Sequence, residues 1–370
     1  MESMTMHTQW RSRPADERYR DLESMYAMLA AQTKQCGTSV VGTDKLKIVP
    51  INHGSDSLSI VGPSGRSASL TNWSMNQLSA IAHAPAAYLR TLPAAIAADA
   101  LNHSMGVQPR DDHQLFLRQT VGDHEQPSTL QLRAINSPGY TRIATAKIIQ
   151  RMMDLQYSNP SWKAPEVYPQ GDFGGTMEPC VGFAGDRDAY LCLVDQDHRI
   201  ADPTDKSGEG LARGLMILNS EVGAKRLDCI LFLCQRICGN MIIWGYKQIQ
   251  AISMRHYGDK IRREWSSGIG NIFADYTRLS AREEESKIQH AAQHVLGAKK
   301  DDVIDLLFKK DLDLGRKQLA DAYELTARHG ADPTTSWGMV QGLTRLSQIA
   351  YSNQDDRVAL DSAAAKILDF

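Results

Sequence analysis

The chain alternates between strand blocks and helix blocks and ends in a long helical stretch, and that order limits the folds open to it. Between Ser39 and about Tyr246 the sequence runs as short stretches of apolar and polar residues, parted by Gly, Asn, Asp, Ser and Pro. After Tyr246 apolar residues recur at helical spacing. Helices follow strands here in blocks. Those blocks predict an α+β protein: a largely antiparallel sheet with inserted helices, followed by a helical C-terminal region. With 370 residues and 42% hydrophobic content the chain is long enough for a full core and exceeds the usual single domain. The expected division is an N-terminal arm or helix over residues 1–35, an α+β core domain over 36–245 and the helical region over 246–370.

Within that division the stretches "KLKIVPI", "SLSIVG" and "RSASL" read as a meander. "TNWSMNQLSAIAHAP" reads as a helix capped by Thr71 or Ser74, and Pro85 and Pro93 open two short helices. "HQLFLRQTV" pairs with "TLQLRAI" as a hairpin, and "AYLCLVD" and "GLMILNS" continue the strands. "RLDCILFLCQRICGNMIIWG" is apolar enough to be buried on both faces, and periodicity alone leaves strand or helix open. A helical stretch is expected from Asp16 to Ala31. Another, from about Ala144 to Tyr157, has Ala144, Ile148, Met152 and Leu155 on its apolar stripe. In the C-terminal region, Leu319, Ala322 and Tyr323, and then Met339, Leu343, Leu346 and Ala350, form amphipathic faces, with Gly297 and Gly330 as stops.

Composition removes several function classes. The net charge of −2 excludes a chain that is basic throughout, while leaving room for a local basic face. No stretch is apolar for long enough to span a membrane, and the first twenty residues have no apolar signal core, so a cytoplasmic protein without a membrane partner is expected. The six cysteines include no C-x-x-C pair, so no zinc site is predicted. Cys234 and Cys238 would share a face only if their segment were helical, and simple packing is the plainer reading. Phosphate-binding glycine loops, nucleophile elbows and metalloprotease signatures are missing, and no cofactor is expected. The densest set of possible ligands, "DQDHRIADPTD", carries Asp195, Asp197, His198, Asp202 and Asp205. It reads either as a turn or as a metal site supporting an enzyme.

Positive charge is concentrated in two aromatic-rich segments. Residues 133–163 hold Arg133, Arg142, Lys147, Arg151 and Lys163 against Asp154 alone, with Tyr140, Tyr157 and Trp162 among them. Residues 236–265 hold Arg236, Lys247, Arg255, Lys260, Arg262 and Arg263 against Asp259 and Glu264, with Trp244, Tyr246, Tyr257 and Trp265 interleaved. Cations satisfy phosphates and flat rings satisfy unpaired bases, so single-stranded DNA is the predicted partner. Solvated helix faces and core aromatics are the competing account. The corner "LQLRAINSPGYTRIATAKIIQRMM" turns a strand through Ser137-Pro138-Gly139 into a helix. It is expected to hold phosphate, with Tyr140 and Arg142 closing on the anion and Lys147 and Arg151 extending the positive surface away from the apolar stripe.

Four motifs in fixed order carry a resemblance: "RAINSPGYTRI", "NSEVG" at Asn219 to Gly223, "QRICGN" at Gln235 to Asn240, and "TTSWGMVQGLTRL" near the end. From about Thr71 to Leu360 the chain resembles the phage/plasmid-related protein family long catalogued as a domain of unknown function. "EVG" after Asn219-Ser220 and Gly239 before Asn240 depart from many of its members. The resemblance implies a mobile-element protein and, by analogy with annealing proteins, a role in recombination or replication as a homo-oligomer. Asn240 reads as a helix cap, while Arg236 either pairs with an acid or faces the basic cleft. The alternatives are a mobile-element factor acting on a host complex, with a host or phage replication protein as its partner, and the metal-dependent enzyme.

Overall fold

The computed structural model describes residues 15–51, 57–107, 111–120, 129–167, 178–206, 208–235, 241–243, 252–310, 312–350 and 354–370. The fold is α+β, with two main sheets and a helical C-terminal region.

Of the N-terminal arm or helix expected over residues 1–35, the described part holds a helix that packs on the large sheet. A strand β1 (Arg18–Tyr19) and a helix α1 (Leu22–Lys34) are built into the core, where Leu22, Met25 and Leu29 are buried with the large sheet. The helix begins later than expected because Asp21 caps it, its carboxylate accepting from Ser24 N at 2.6 Å.

The six-stranded sheet takes β2 (Cys36–Gly42), β3 (Lys47–Pro50), β4 (Leu58–Val61), β5 (Ser67–Leu70), β6 (Asp112–Gln119) and β7 (Leu130–Asn136) in the order β2-β6-β7-β5-β4-β3. The meander and the hairpin form as read, with Gln119 opposite Leu130, and among the described strands of this sheet only β5 and β7 run parallel. Three helices, α2 (Asn72–Ile81), α3 (Ala86–Leu89) and α4 (Ala94–Val107), lie between β5 and β6 in the chain. Thr71 and Ser74 form a reciprocal capping box at the start of α2. Leu78, Leu101, Leu115 and Leu132 lie in the core of this unit.

The corner leads into α5 (Thr145–Ser158). Beyond it come β8 (Trp162–Lys163), then β9 (Glu166–Val167) and β10 (Glu178–Pro179), which pair with each other. The large sheet is completed by β11 (Gly182–Ala184), β12 (Ala189–Asp195), β13 (Leu211–Asn219), β14 (Leu227–Gln235), β15 (Met241–Ile243) and β16 (Ile252–Met254). Its order is β1-β11-β12-β13-β14-β15, with β8 beside β12 and β16 beside β14, all antiparallel.

The ambiguous run therefore begins as a strand. Leu227, Cys229, Leu231 and Leu233 face one core and Phe232 and Cys234 the opposite one, which accounts for its lack of polar alternation. Cys234 lies on this strand, so the helical premise for a pair with Cys238 fails there; Cys238 itself lies outside the described residues. The expectation that everything after Tyr246 is helical is corrected as well, since β16 extends the sheet before the helices start.

Those helices are α6 (Gly258–Arg278), α7 (Arg282–Gln293), α8 (Lys300–Lys309), α9 (Arg316–Arg328), α10 (Ser336–Ala350) and α11 (Gln354–Ala365). Residues of α1, α5 and the C-terminal helices share one core with a face of the large sheet. Among the described residues, no helix is long and apolar enough to cross a membrane.

Candidate nucleic-acid interface

The corner is a tight turn that docks onto a distant segment. Tyr140 N donates to Ser137 O at 3.0 Å, and Tyr140 then bridges Tyr257. Thr141 N donates to His256 O at 3.0 Å, Gly258 N to Gly139 O at 3.2 Å, and Thr141 Oγ1 to Gly258 O at 2.9 Å. A side chain at Gly139 would enter the Tyr257 ring, so glycine lets that ring lie across the turn. Gly258, at φ +72°, occupies the left-handed region that glycine tolerates. The two basic segments, read separately in the sequence, are thus joined at one place.

From this junction α5 and α6 run side by side in the same direction. Arg151 of α5 packs over Gly270 of α6, and the ring of Trp162, just beyond α5, lies tilted 4.8 Å from that of Phe273. Both helices therefore begin at the same end, and the exposed cations gather there: Lys147 near the start of α5, Arg255 just before α6, and Lys260, Arg262 and Arg263 in its first turns. The Tyr257 ring among them is 68% exposed. Lys260 pairs with Glu264 at 4.0 Å and Arg262 with Asp259 at 3.9 Å, both at the surface, where such pairs contribute little.

Several candidates do not reach this surface. Tyr140 is not free to stack on a base: its hydroxyl donates to Ser220 O at 2.8 Å, its ring stacks on His256, and burial pushes its hydroxyl pKa up. Arg133 is 7% exposed, and its Nη2 donates to Asp186 O at 3.0 Å. Arg142 lies 3.9 Å from the centroid of the Phe116 ring, on which Arg133 also sits. Arg151 is half-buried between two helices, so the outward face assigned to it is in fact a helix contact. Trp162 is core and the exposed Tyr157 ends α5 away from the cluster. Arg236 and Lys247, and most of "QRICGN", lie outside the described residues.

The expected phosphate position at the start of α5 is occupied from within. Glu221 accepts Thr145 N at 2.8 Å, so an internal carboxylate takes a first-turn donor and complements the helix dipole. Glu221 belongs to "NSEVG", a hub that sequence reasoning noted only as a motif. Asn219 Nδ2 donates to Ile143 O and Thr145 Oγ1, and Ser220 Oγ donates to Arg187 O and accepts from Val222 N and Ala224 N. Helix α6 differs in that no distant carboxylate among the described residues meets its first-turn donors: its N-cap Tyr257 has no side-chain capping bond, Asp259 is the acid of its first turn, and Lys260, Arg262 and Arg263 follow. Cations are disfavoured at a helix N-terminus, and an outside anion would relieve both charge and unsatisfied donors.

No family model, curated protein or solved structure matches this chain.

The acidic cluster is a set of turns and ties. His198 Nδ1 lies 2.7 Å from Asp195 Oδ2, Asp205 Oδ2 accepts Gly210 N, and Asp202 accepts from Thr204, Trp337 Nε1 and Gln341 Nε2. Among the described residues no group of three or more His, Cys, Asp or Glu is placed to hold a metal ion.

His256 gives the junction a pH dependence. Burial lowers its pKa from the ordinary 6.5, against the opposing influence of its bond with Thr141 O and of Glu221 and Asp228. Its Nε2 is buried without a hydrogen-bond partner. The folded state thus binds this proton less readily than the unfolded state, so stability is full above about 6.5 and falls as pH drops below it. In urea titrations between pH 7.5 and 5.5, His256→Gln should flatten the pH dependence relative to the unsubstituted protein.

Proposed function

We propose that this is a nucleic-acid-binding protein of a mobile element, acting on single-stranded DNA in recombination or replication through the joined starts of α5 and α6. The observation that carries the reading is the uncapped start of α6, where Lys260, Arg262 and Arg263 stand beside Arg255, Lys147 and the exposed Tyr257 ring. These cations suit a phosphate backbone and the ring suits a splayed base, a pairing that favours single strands over duplex. The order of the four motifs and their resemblance to the phage/plasmid-related family support the mobile-element setting. The carboxylates of Asp195, Asp202 and Asp205 are taken up by bonds within the chain, which favours the turn reading of this stretch over the metal-enzyme alternative.

Equilibrium binding of labelled single-stranded and duplex DNA of equal length, at matched salt, tests the preference. Tighter binding to the single strand is expected. Equal affinity for the two would remove the single-strand reading, and no binding to either would remove the nucleic-acid reading altogether.

A further inference from the structure

We propose that the cleft between the two sheets is a binding site for a small inorganic anion, held chiefly by the guanidinium of Arg133. The cleft, about 20 Å³, is lined by Thr33, Cys36, Arg133, Thr145, Arg187 and Glu221 among others, where α1, β7, α5 and the β11–β12 turn converge. That volume suits one or two water-sized groups, a halide or a single phosphate, and excludes a nucleotide.

Arg133 is the observation that points to a ligand. Its side chain is buried and it lines the cleft; its Nη2 donates to Asp186 O at 3.0 Å and the guanidinium also bonds the Cys36 side chain, yet its Nε has no hydrogen-bond acceptor. The Asp186 carboxylate is 3.9 Å from that Nε, and the same oxygen serves Arg118 at 3.0 Å. Arg142, on the same Phe116 ring but outside the cleft lining, also has a buried and unpartnered Nη1 and adds positive charge near Arg133. Glu221 and Asp188 line the cleft too and bring negative charge opposite Arg133 and Arg187, with Glu221 Oε1 accepting Thr145 N. Burial pushes the Cys36 thiol up, so it stays neutral and adds no competing negative charge. A buried charged donor left unsatisfied costs the desolvation of that group, and a small anion in the cleft would recover it. This assigns Arg133 to an ion that bridges the sheets and not to the nucleic-acid surface.

The test is thermal unfolding of the full chain titrated with inorganic phosphate, with sodium and ionic strength held constant by a weakly coordinating anion. An anion bound only to the folded state raises the Tm, and a specific site shows this as a component absent from variants that lack it. The shift should be present in the unsubstituted protein and lost in Arg133→Gln. Should Arg133→Gln fail to fold, Arg142→Gln is expected to reduce it, and phosphate line broadening by ³¹P NMR reads binding on the unsubstituted protein directly. An equal rise in every variant, or an unreduced response in Arg142→Gln, overturns the proposal. So does a response that persists in Arg133→Gln but vanishes in Lys260→Glu/Arg262→Glu/Arg263→Glu, because the anion then belongs to the exposed surface. Loss of DNA binding in the triple variant with the phosphate response intact leaves the cleft site standing.

Discussion

Glu284→Ala is expected to destabilise the protein by about 3–5 kcal/mol, the range for removing one partner of a buried ion pair. Glu284 is 0% exposed and Arg213 6%. Arg213 Nε and Nη2 both reach Glu284 Oε1 at 2.7 Å, and Nη1 donates to Tyr276 O at 3.2 Å and Leu279 O at 2.8 Å. The pair fastens β13 to the start of α7 and closes the end of α6. Removing the carboxylate leaves a guanidinium in the interior without its counter-charge. The double variant Arg213→Met/Glu284→Leu should recover much of the loss, because apolar residues of similar size carry no desolvation cost. Urea unfolding of the single and double variants checks both. A single variant as stable as the original would mean that water reaches this pair.

Trp337→Ala should cost a similar amount, about 3–5 kcal/mol for truncating a large core aromatic. Trp337 is fully buried, and its Nε1 donates to Asp202 Oδ1 and Thr204 Oγ1, each at 3.1 Å. The ring thus fills the core while its polar edge anchors the loop after β12. Trp337→Phe separates the two contributions, keeping most of the volume and losing the indole donor, and should fall between the original and Trp337→Ala in urea unfolding. Asp202, read in the sequence as a possible metal ligand, is expected to act through this tie. Asp202→Asn should therefore lower stability without changing the metal content of the purified protein.

Local chemistry was legible in the sequence where a few adjacent residues decide the outcome. Thr71 and Ser74 make their capping box, the β3–β4–β5 meander forms where Gly and polar residues part it, and β6 pairs with β7 as the alternation required. The Ser137-Pro138-Gly139 turn is real. What it docks against was not legible, because Tyr140, Thr141 and Thr145 find their partners in residues 219–224 and 256–258, far along the chain. Helical periodicity put Arg151 opposite the apolar stripe of α5, which is correct for an isolated helix. A second helix covers that side, and the only local sign was Gly270, whose missing side chain makes room for the guanidinium. The same distinction explains Arg133 and Arg142: charge alone suggested a surface, while their position beside Phe116 and Glu221 depends on the meeting of two sheets. The cations at the start of α6 stayed exposed because nothing in the described fold packs against them.

The most direct measurement is the salt dependence of single-stranded DNA binding by Lys260→Glu/Arg262→Glu/Arg263→Glu beside the unsubstituted protein. Glutamates in the first turns of α6 complement its dipole, so the variant should retain its fold and its melting temperature. Weaker binding is expected, with the slope of log affinity against log salt reduced by roughly 0.7 for each phosphate that is no longer neutralised. A folded variant that binds with unchanged affinity and unchanged slope would contradict a nucleic-acid surface at the start of α6.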